Sequence, residues 1–205
     1  MPKTEADSAF MIGAGIPQGA VPVLSLGRSF ASLSPGNVYH AGMVNSPTKL
    51  AIIWHSRTGA AEALARAIAD GAGEEGQLMP AARTEATQLQ AAAGYVFVCP
   101  ENLAGMTGEI KEMFDRCYYP LLGRLEGRPY ATVIAAGSDG HGAQAQIDRI
   151  VKGWRLRRVA EPMIVNLEAQ TPEAILAPKI VPAGQLQACR DLGAALAEGL
   201  RLGIF

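Results

Sequence analysis

Apolar residues follow two alternating patterns from about residue 48 to the end of the chain. Short apolar runs with β-branched residues predict strands, and apolar residues at three- and four-residue spacing predict helices between them. The predicted strands are residues 49–54, 77–82, 95–99, 130–136 and 158–165. The first predicted helix follows the first strand and ends near residue 70. The other predicted helices are residues 84–92, 109–122, 143–154 and 182–202.

This alternation predicts the fold class. Strands that alternate with helices form βαβ units, which place the strands in a parallel sheet with helices on both faces. The third strand, residues 95–99, is apolar without alternation, as expected for a strand that is buried on both faces. We therefore predict an α/β domain built on a five-stranded parallel sheet.

The first 47 residues show neither pattern. Prolines interrupt them at positions 2, 17, 22, 35 and 47, whereas a signal peptide needs a basic start and an unbroken apolar run. We expect an N-terminal extension, irregular or disordered, before a folded domain at residues 48–205. Because translation from Met43 would leave that domain complete, the extension is an overlong start, a leader or a disordered arm.

Composition narrows the function classes. Hydrophobic residues make up 49% of the chain and charged residues 18%, values typical of soluble globular proteins. The net charge of −1 and the 6% aromatic content argue against a nucleic-acid partner. No apolar run approaches the about 18 residues of a membrane-spanning helix. The three cysteines, Cys99, Cys117 and Cys189, lack metal-type spacing and predict reduced thiols in a cytoplasmic protein without a bound metal.

The loop after the first predicted strand carries candidate chemistry. Ser56 and Thr58 offer hydroxyls, Gly59 allows close backbone approach, and the next helix presents unpaired N–H groups and the positive end of its dipole. This combination predicts a site for one phosphate monoester, since the Gly-Lys-Ser/Thr ending of a triphosphate loop is missing. A plain helix cap by Ser56 or Thr58 is the alternative, and it explains one hydroxyl but not both with the glycine.

Two further loops follow the third and fourth predicted strands. Residues 100–108 and 136–142 are rich in glycine, and such loops bring backbone N–H and C=O groups close to a ligand. In an open parallel sheet, ligands bind at the carboxyl ends of the strands, where these loops lie. Together the three loops favour a flat heteroaromatic ring with amide-like edges, although glycines also serve plain turns.

The sequence of these loops resembles a known family. The segment PENLAGMTGEIKEMFDRCYYPLLGRLEGRPYATVIAAGSDGHGA is similar to the flavodoxin-like NAD(P)H-dependent FMN reductase and quinone reductase group. The segment HSRTGAA is similar to that family's Ser/Thr-x-Thr-Gly-x-Thr phosphate loop. The resemblance covers residues 48 to about 165. It implies a strand order of 2-1-3-4-5 and one FMN, so that residues 48–205 form a flavodoxin-like FMN-binding domain.

The resemblance also implies which residues bind the cofactor. Ala61 stands where the family often has a third hydroxyl, and neither ring-facing loop has the aromatic that flavodoxins usually stack on the flavin. The phosphate would contact Ser56, Thr58 and Gly59 and the backbone of Arg57, Ala60 and Ala61. The isoalloxazine ring would contact Pro100, Glu101, Asn102, Leu103, Gly105 and Met106 on one side, and Gly137, Ser138, Gly140 and His141 on the other.

Two groups of polar residues have competing interpretations. His141 or His55 could relay a proton near the flavin, and His141 is the predicted catalytic residue. The competing interpretation, an imidazole that only hydrogen-bonds the loop backbone, is commoner. The run GWRLRR brings Arg155, Arg157 and Arg158 together. These could grip the 2′-phosphate of NADPH or a neighbouring subunit, although a solvated face is favoured.

The function that the resemblance implies is oxidoreduction: FMN accepts hydride from NAD(P)H and passes it to a quinone or other small acceptor. A homodimer or homotetramer is compatible with this activity. The alternative is a flavodoxin-type electron carrier for protein partners, which usually relies on a strongly acidic surface. Residues 48–205 carry 16 of the 18 basic and 17 of the 19 acidic residues, so no such surface is predicted. A flavin-free assembly module is a third candidate, favoured only by Ala61.

Overall fold

Residues 49–205, the part of the chain that the computed structural model describes, form a sheet between two layers of helices. The predicted extension at residues 1–47 lies outside the described residues. In the described part, no helix is both long and apolar enough to cross a bilayer. The strands are β1 (Leu50–Trp54), β2 (Gly76–Pro80), β3 (Gly94–Asn102), β4 (Gly105–Met106), β5 (Pro129–Ala136), β6 (Arg157–Arg158) and β7 (Met163–Asn166). The helices are α1 (Ala60–Ala72), α2 (Ala86–Ala91), α3 (Gly108–Tyr118), α4 (His141–Val151), α5 (Pro172–Leu176) and α6 (Ala183–Arg201).

The strand order is β2-β1-β3-β5, with β6 and β7 following one another along the outer edge of β5. All of these pairs are parallel. The predicted parallel sheet is therefore confirmed, and its path agrees with the expected order 2-1-3-4-5. The number of strands differs, because the sheet has seven strands rather than five.

Two departures account for the extra strands. Tyr130 pairs with Arg158 and Val133 with Met163, so the outer strand has two more residues than β5 over the same length and bulges between β6 and β7. Pro162 lies in this bulge and has no N–H to give to a ladder. The predicted single strand at residues 158–165 is therefore wrong. The other extra strand, β4, pairs antiparallel with the end of β3 and makes a hairpin of the predicted loop.

The core lies on both faces of the sheet. Ile52 and Val96 point to the face that packs against α1 and α6, whereas Ile53 and Phe97 point to the face that packs against α3 and α4. The ring of Phe97 lies 5.0 Å from that of Phe114 in α3, measured between centroids. Burial of such side chains contributes roughly 1.5–3 kcal/mol each. The two-sided burial predicted for the third strand is confirmed, since residues 94–99 are all buried.

Two glycines bring α1 and α6 into backbone contact. A Cβ on Gly71 of α1 would lie 1.9 Å from the carbonyl oxygen of Arg190, and one on Gly193 of α6 would lie 2.0 Å from that of Ile68. Because neither backbone can yield, only glycine fits at these two positions. This packing fixes α1, whose first residue, Ala60, lies at the carboxyl edge of the sheet.

Candidate functional site

A cleft of about 840 Å³ lies at the carboxyl ends of β1, β3 and β5, and four chain segments line it. The predicted residues in the lining are Arg57, Thr58, Ala60, Pro100, Glu101, Asn102, Leu103, Gly137 and Ser138. The lining residues that the sequence did not reveal are Ala104, Ala135, Ala136, Leu167, Ala169, Ile175, Leu176 and Lys179. The predicted residues outside the lining are Ser56, Gly59, Ala61, Gly105, Met106, Gly140 and His141.

The first loop leads into α1 through a left-handed glycine. Gly59 has φ 91°, a conformation that favours glycine, and a Cβ there would meet open space. Its N–H donates to Ser56 Oγ at 3.1 Å, so the Ser56 hydroxyl stabilises the loop and does not form the helix cap of the alternative interpretation. Among the described residues, no side chain caps the first turn of α1. The N–H groups of Ala60 and Ala61 therefore have no side-chain partner, and Ala60 lines the cleft, where an anion can approach the helix start.

The methyl group of Ala61 points away from the cleft. Ala61 is 1% exposed and packs in the core between α1, α6 and the sheet. A hydroxyl at this position would lie among apolar side chains, where an unpaired polar group is costly. The departure from the family's phosphate loop therefore fits the packing of this chain.

The N-terminus of α4 is already occupied by a carboxylate. Glu101, at the end of β3, accepts from the N–H of Gly140 at 2.6 Å and from the N–H of Ala143 at 3.1 Å. These bonds satisfy two N–H groups that a helix start leaves without partners. The sequence predicted Glu101 only as a ring contact and missed this cap. Of these two helix starts at the cleft, α1 is the one left open to an exogenous anion.

The hairpin of β3 and β4 ends in a strained turn. Leu103 has φ 49° and Ala104 has φ 58°, two consecutive left-handed residues without glycine. The hairpin is held against α4, because Met106 N–H donates to Gln146 Oε1 at 2.8 Å. A Cβ on Gly142 would lie 2.2 Å from the carbonyl oxygen of Ala104, which explains that glycine by packing.

Two other glycines of these loops face protein rather than the cleft. A Cβ on Gly140 would lie 2.5 Å from Ile164 Cγ2, and one on Gly105 would lie 2.9 Å from Gln146 Oε1. Part of the glycine content that suggested ligand contact therefore serves packing of α4 against its neighbours. The positions of Gly105 and Gly140 give no support to direct cofactor contact, which stays a prediction.

A polar cluster ties the first two loops together. His55 Nδ1 lies 3.0 Å from Thr107 Oγ1, and its Nε2 lies 3.3 Å from Glu109 Oε1. The same carboxylate oxygen lies 3.5 Å from Arg57 Nη2. With the Asn102 amide turned to satisfy its neighbours, its oxygen accepts from Arg57 Nε at 3.2 Å. The guanidinium group at the cleft is therefore held from two sides, a role for the Arg57 side chain that the sequence did not reveal.

Burial decides the charge of His55. Desolvation lowers the pKa of this imidazole below its ordinary value of 6.5, and the charge of Arg57 lowers it further, whereas Glu109 raises it. The ring is therefore neutral at pH 7. The geometry fits the tautomer whose Nε2–H donates to Glu109 while Nδ1 accepts from the Thr107 hydroxyl.

His141, the predicted catalytic residue, lies on the surface. Its side chain is 78% exposed, and Nδ1 lies 2.6 Å from Asp139 Oδ1. The ring does not belong to the cleft lining. This position gives no support to a proton relay, and the catalytic role stays a prediction.

The three arginines of the GWRLRR run do not form one site. Arg158 is half-buried, pairs with Asp148 of α4, donates to Thr132 Oγ1 at 3.1 Å and lies over the ring of Tyr130. Arg155 pairs with Glu126 instead, at 3.7 Å. None of the three lines the cleft, so the alternative of a 2′-phosphate grip is not supported.

The fourth wall of the cleft is a segment that we call the strap, residues 167–181 between β7 and α6. It contains the short helix α5, whose N-cap Thr171 accepts from Ala174 N–H at 3.2 Å. The strap is joined to the first loop, because Lys179 N–H donates to the carbonyl oxygen of Thr58 at 2.8 Å. The sequence of the strap shows neither helical nor strand periodicity, so its place in the cleft was not predicted.

A known family matches the middle of the chain. The family model described as NADPH-dependent FMN reductase matches residues 64–159, which include the second and third loops. Residues 64–159 are therefore similar to the NADPH-dependent FMN reductase family. The match begins after the first loop and ends before the strap, so neither of these walls is covered by it. None of the curated proteins compared with the sequence matches it.

Solved structures share the fold at low sequence identity. A WrbA-like flavodoxin from Agrobacterium tumefaciens is 18% identical, with a TM-score of 0.60 over 75% of this chain and 98% of that one. Flavodoxin 1 from Bacillus cereus is 19% identical, with a TM-score of 0.58 over 73% of this chain and 97% of that one. A flavodoxin from the domain Archaea is 16% identical, with a TM-score of 0.60 over 75% and 99%. The described domain has the flavodoxin-like fold.

Proposed function

We propose that this domain binds one FMN in the cleft and passes reducing equivalents from NAD(P)H to a quinone or other small acceptor. The observation that carries the proposal is the uncapped start of α1 beside a cleft whose other walls include two loops of the FMN reductase family segment. A helix start with free N–H groups suits a phosphate, and an adjacent cleft suits a ring.

The residues present fit FMN. The N–H groups of Ala60 and Ala61, the hydroxyl of Thr58 and the guanidinium of Arg57 would hold the phosphate. The cleft volume of about 840 Å³ lies within the range of about 300–1,000 Å³ that is typical of ligand sites. When bound, FMN supplies two-electron transfer between the donor and the acceptor.

The chain's own contribution is binding and placement. Backbone groups of residues 100–104 and 135–138 would border the ring, and the Glu101 cap keeps the hairpin and α4 in fixed register beside it. The first two loops are tied by the His55, Arg57 and Glu109 cluster, which would keep the phosphate and ring subsites at a constant separation. Such pre-organisation lowers the cost of binding.

The nearly neutral net charge of the chain favours an enzyme over an electron carrier. Carriers that dock to protein partners are usually steered by net acidic surfaces. The chain carries 18 basic and 19 acidic residues, and its net charge is −1. The likeness to flavodoxins concerns the fold alone and does not distinguish the two functions.

Purification followed by visible spectroscopy tests the proposal. The protein incubated with FMN and freed of excess flavin should keep a yellow colour, lose it with NADPH or NADH under argon, and regain it with a quinone. Failure to retain FMN would refute the proposed function. Retention of FMN without oxidation of NAD(P)H by any quinone or free flavin would favour the carrier.

A further inference from the structure

Two apolar side chains of the strap line the cleft without protein packed over them. Ile175 is 52% exposed and Leu176 is 78% exposed. A third lining residue, Leu103 at the hairpin turn, is fully exposed. Single exposed apolar side chains are ordinary on protein surfaces, but three in the lining of one cleft offer apolar contacts that a ligand can cover.

Hydrogen bonds fix this part of the strap in place. Leu167 N–H donates to the carbonyl oxygen of Ala136 at 2.8 Å, at the start of the strap. Near its end, Lys179 Nζ donates to the carbonyl oxygens at the end of α5, at 2.6, 2.9 and 2.6 Å from those of Ala174, Ile175 and Ala177. Ile175 and Leu176 are therefore presented by an anchored segment and need little ordering on binding.

The turn that carries Leu103 is likewise held by the fold. Its φ of 49° and that of Ala104, 58°, are conformations that residues with a Cβ rarely adopt. Such strain persists only where the surrounding structure holds it, and it concentrates at ligand sites. The contacts of Met106 and Gly142 with α4 and the hairpin hold the turn here.

The charged side chains of the lining are all engaged with protein. Arg57 pairs with Glu109, Glu101 caps α4, and Lys179 uses the three protons of its ammonium group on backbone carbonyls. Arg57 is also the group proposed to hold the FMN phosphate, so with FMN bound no charged side chain of the described lining is left to select an ionic substituent of the acceptor. The chemistry of this surface therefore suits an uncharged ligand.

We propose that Leu103, Ile175 and Leu176 bind the apolar substituent of the electron acceptor, and that the acceptor is a quinone with an alkyl side group rather than a polar or charged one. This inference rests on the proposed function and specifies its acceptor. In the net reaction, NAD(P)H, one proton and the quinone give NAD(P)⁺ and the hydroquinone. Ile175 and Leu176 lie outside the segment that matches the family model, residues 64–159, whereas Leu103 lies within it.

The test compares two benzoquinones, one with a short alkyl chain and one whose chain ends in a hydroxyl group. The FMN-loaded protein is reduced with dithionite under argon, and its reoxidation by each quinone is followed at 450 nm. Binding of both quinones to the oxidised, FMN-loaded protein is measured by calorimetry, which requires no turnover. Leu176→Ser is the test variant and Leu176→Met retains the apolar volume. Ile180→Ser is the matched control, because Ile180 is 91% exposed on the same strap but lies outside the cleft lining.

We expect the native chain to bind and react with the alkyl quinone more strongly than with its hydroxyl analogue. Leu176→Ser should lower both the affinity and the second-order rate for the alkyl quinone by roughly fivefold, since the substituent covers part of one leucine. The hydroxyl analogue should change less than twofold, and Leu176→Met and Ile180→Ser should resemble the native chain.

The outcomes separate this inference from the proposed function. Equal affinity of the native chain for the two quinones, or an equal loss in Ile180→Ser, overturns the apolar acceptor surface. A loss of FMN affinity in Leu176→Ser also overturns it, because the strap would then be part of the flavin site. If dithionite-reduced protein shows the preference while NAD(P)H fails to reduce it, the inference stands and the proposed donor is wrong. If the protein retains no FMN, the proposed function fails, and calorimetry on the flavin-free protein still decides whether the surface prefers the alkyl quinone.

Discussion

Replacing Glu101 by glutamine tests whether this carboxylate acts as the cap of α4. In the native chain it accepts from Gly140 N–H at 2.6 Å and from Ala143 N–H at 3.1 Å, at the positive end of the helix. Hydrogen bonds to a charged group contribute roughly 1.5–3 kcal/mol each, and a charge at a helix start adds roughly 0.3–1 kcal/mol. Glutamine keeps one accepting oxygen and loses the charge, so we expect Glu101→Gln to cost about 1.5 kcal/mol and Glu101→Ala about 3 kcal/mol.

Urea unfolding of the flavin-free protein measures this loss, with Tm as a second readout. For a domain of this size a cost of about 1.5 kcal/mol corresponds to a fall in Tm of about 3–6 °C. Hydrogen exchange at the Gly140 and Ala143 amides should accelerate more than exchange in the core strands. Glu161→Gln is the matched control, because Glu161 is exposed in the bulge between β6 and β7. Unchanged stability of Glu101→Gln relative to that control would show that the cap is not formed.

Three further predictions follow from packing and titration. Gly193→Ala should lower stability by about 2–3 kcal/mol, because its Cβ would lie 2.0 Å from the carbonyl oxygen of Ile68. A Cβ at Gly184 meets open space, so Gly184→Ala should be neutral. An equal fall in Tm for the two variants would contradict this prediction. The pKa of His55 is lowered in the folded protein, so as the pH falls through the ordinary histidine value of 6.5 the unfolded chain binds more protons than the folded one. Stability should therefore fall as the pH drops from 7 to 5.5, and His55→Gln should flatten that dependence. An NMR titration that gives His55 a pKa above 6.5 would oppose this prediction. Burial raises the pKa of Cys99 to about 12, so a thiol-specific reagent at pH 8 should modify it only after unfolding, and rapid labelling of the native protein would be inconsistent with the fold.

Elements with a strong hydrophobic period were predictable from the sequence. The apolar runs located β1, β3 and β5, and the three-to-four spacing located α1, α3, α4 and α6 to within a few residues. The split of the outer strand was not predicted, although Pro162 was a local signal for it. The hairpin was missed because its turn uses Leu103 and Ala104 rather than the Asn-Gly pair that normally marks such a turn.

The candidate site was predictable in position but not in its detailed roles. Loop residues after consecutive parallel strands had to meet at one sheet edge, and the cleft lies there. The cap by Glu101 joins β3 to α4 across 39 residues of sequence, and no local pattern encodes such a contact. The strap has no sustained period, and its role depends on the bond from Lys179 to Thr58. His141 follows a strand and looked equivalent to the other loop residues, yet its side chain points to solvent.

The most direct test of the central claim is the ratio of the affinities for FMN and riboflavin, which differ only in the phosphate. Titration of flavin fluorescence gives both constants, and several charge-assisted hydrogen bonds at the start of α1 should make FMN at least roughly a hundredfold tighter. Thr58→Val should weaken FMN binding by about 1–2 kcal/mol and leave riboflavin binding unchanged. Equal affinities for FMN and riboflavin, or no effect of Thr58→Val on FMN, would contradict a phosphate site at the start of α1.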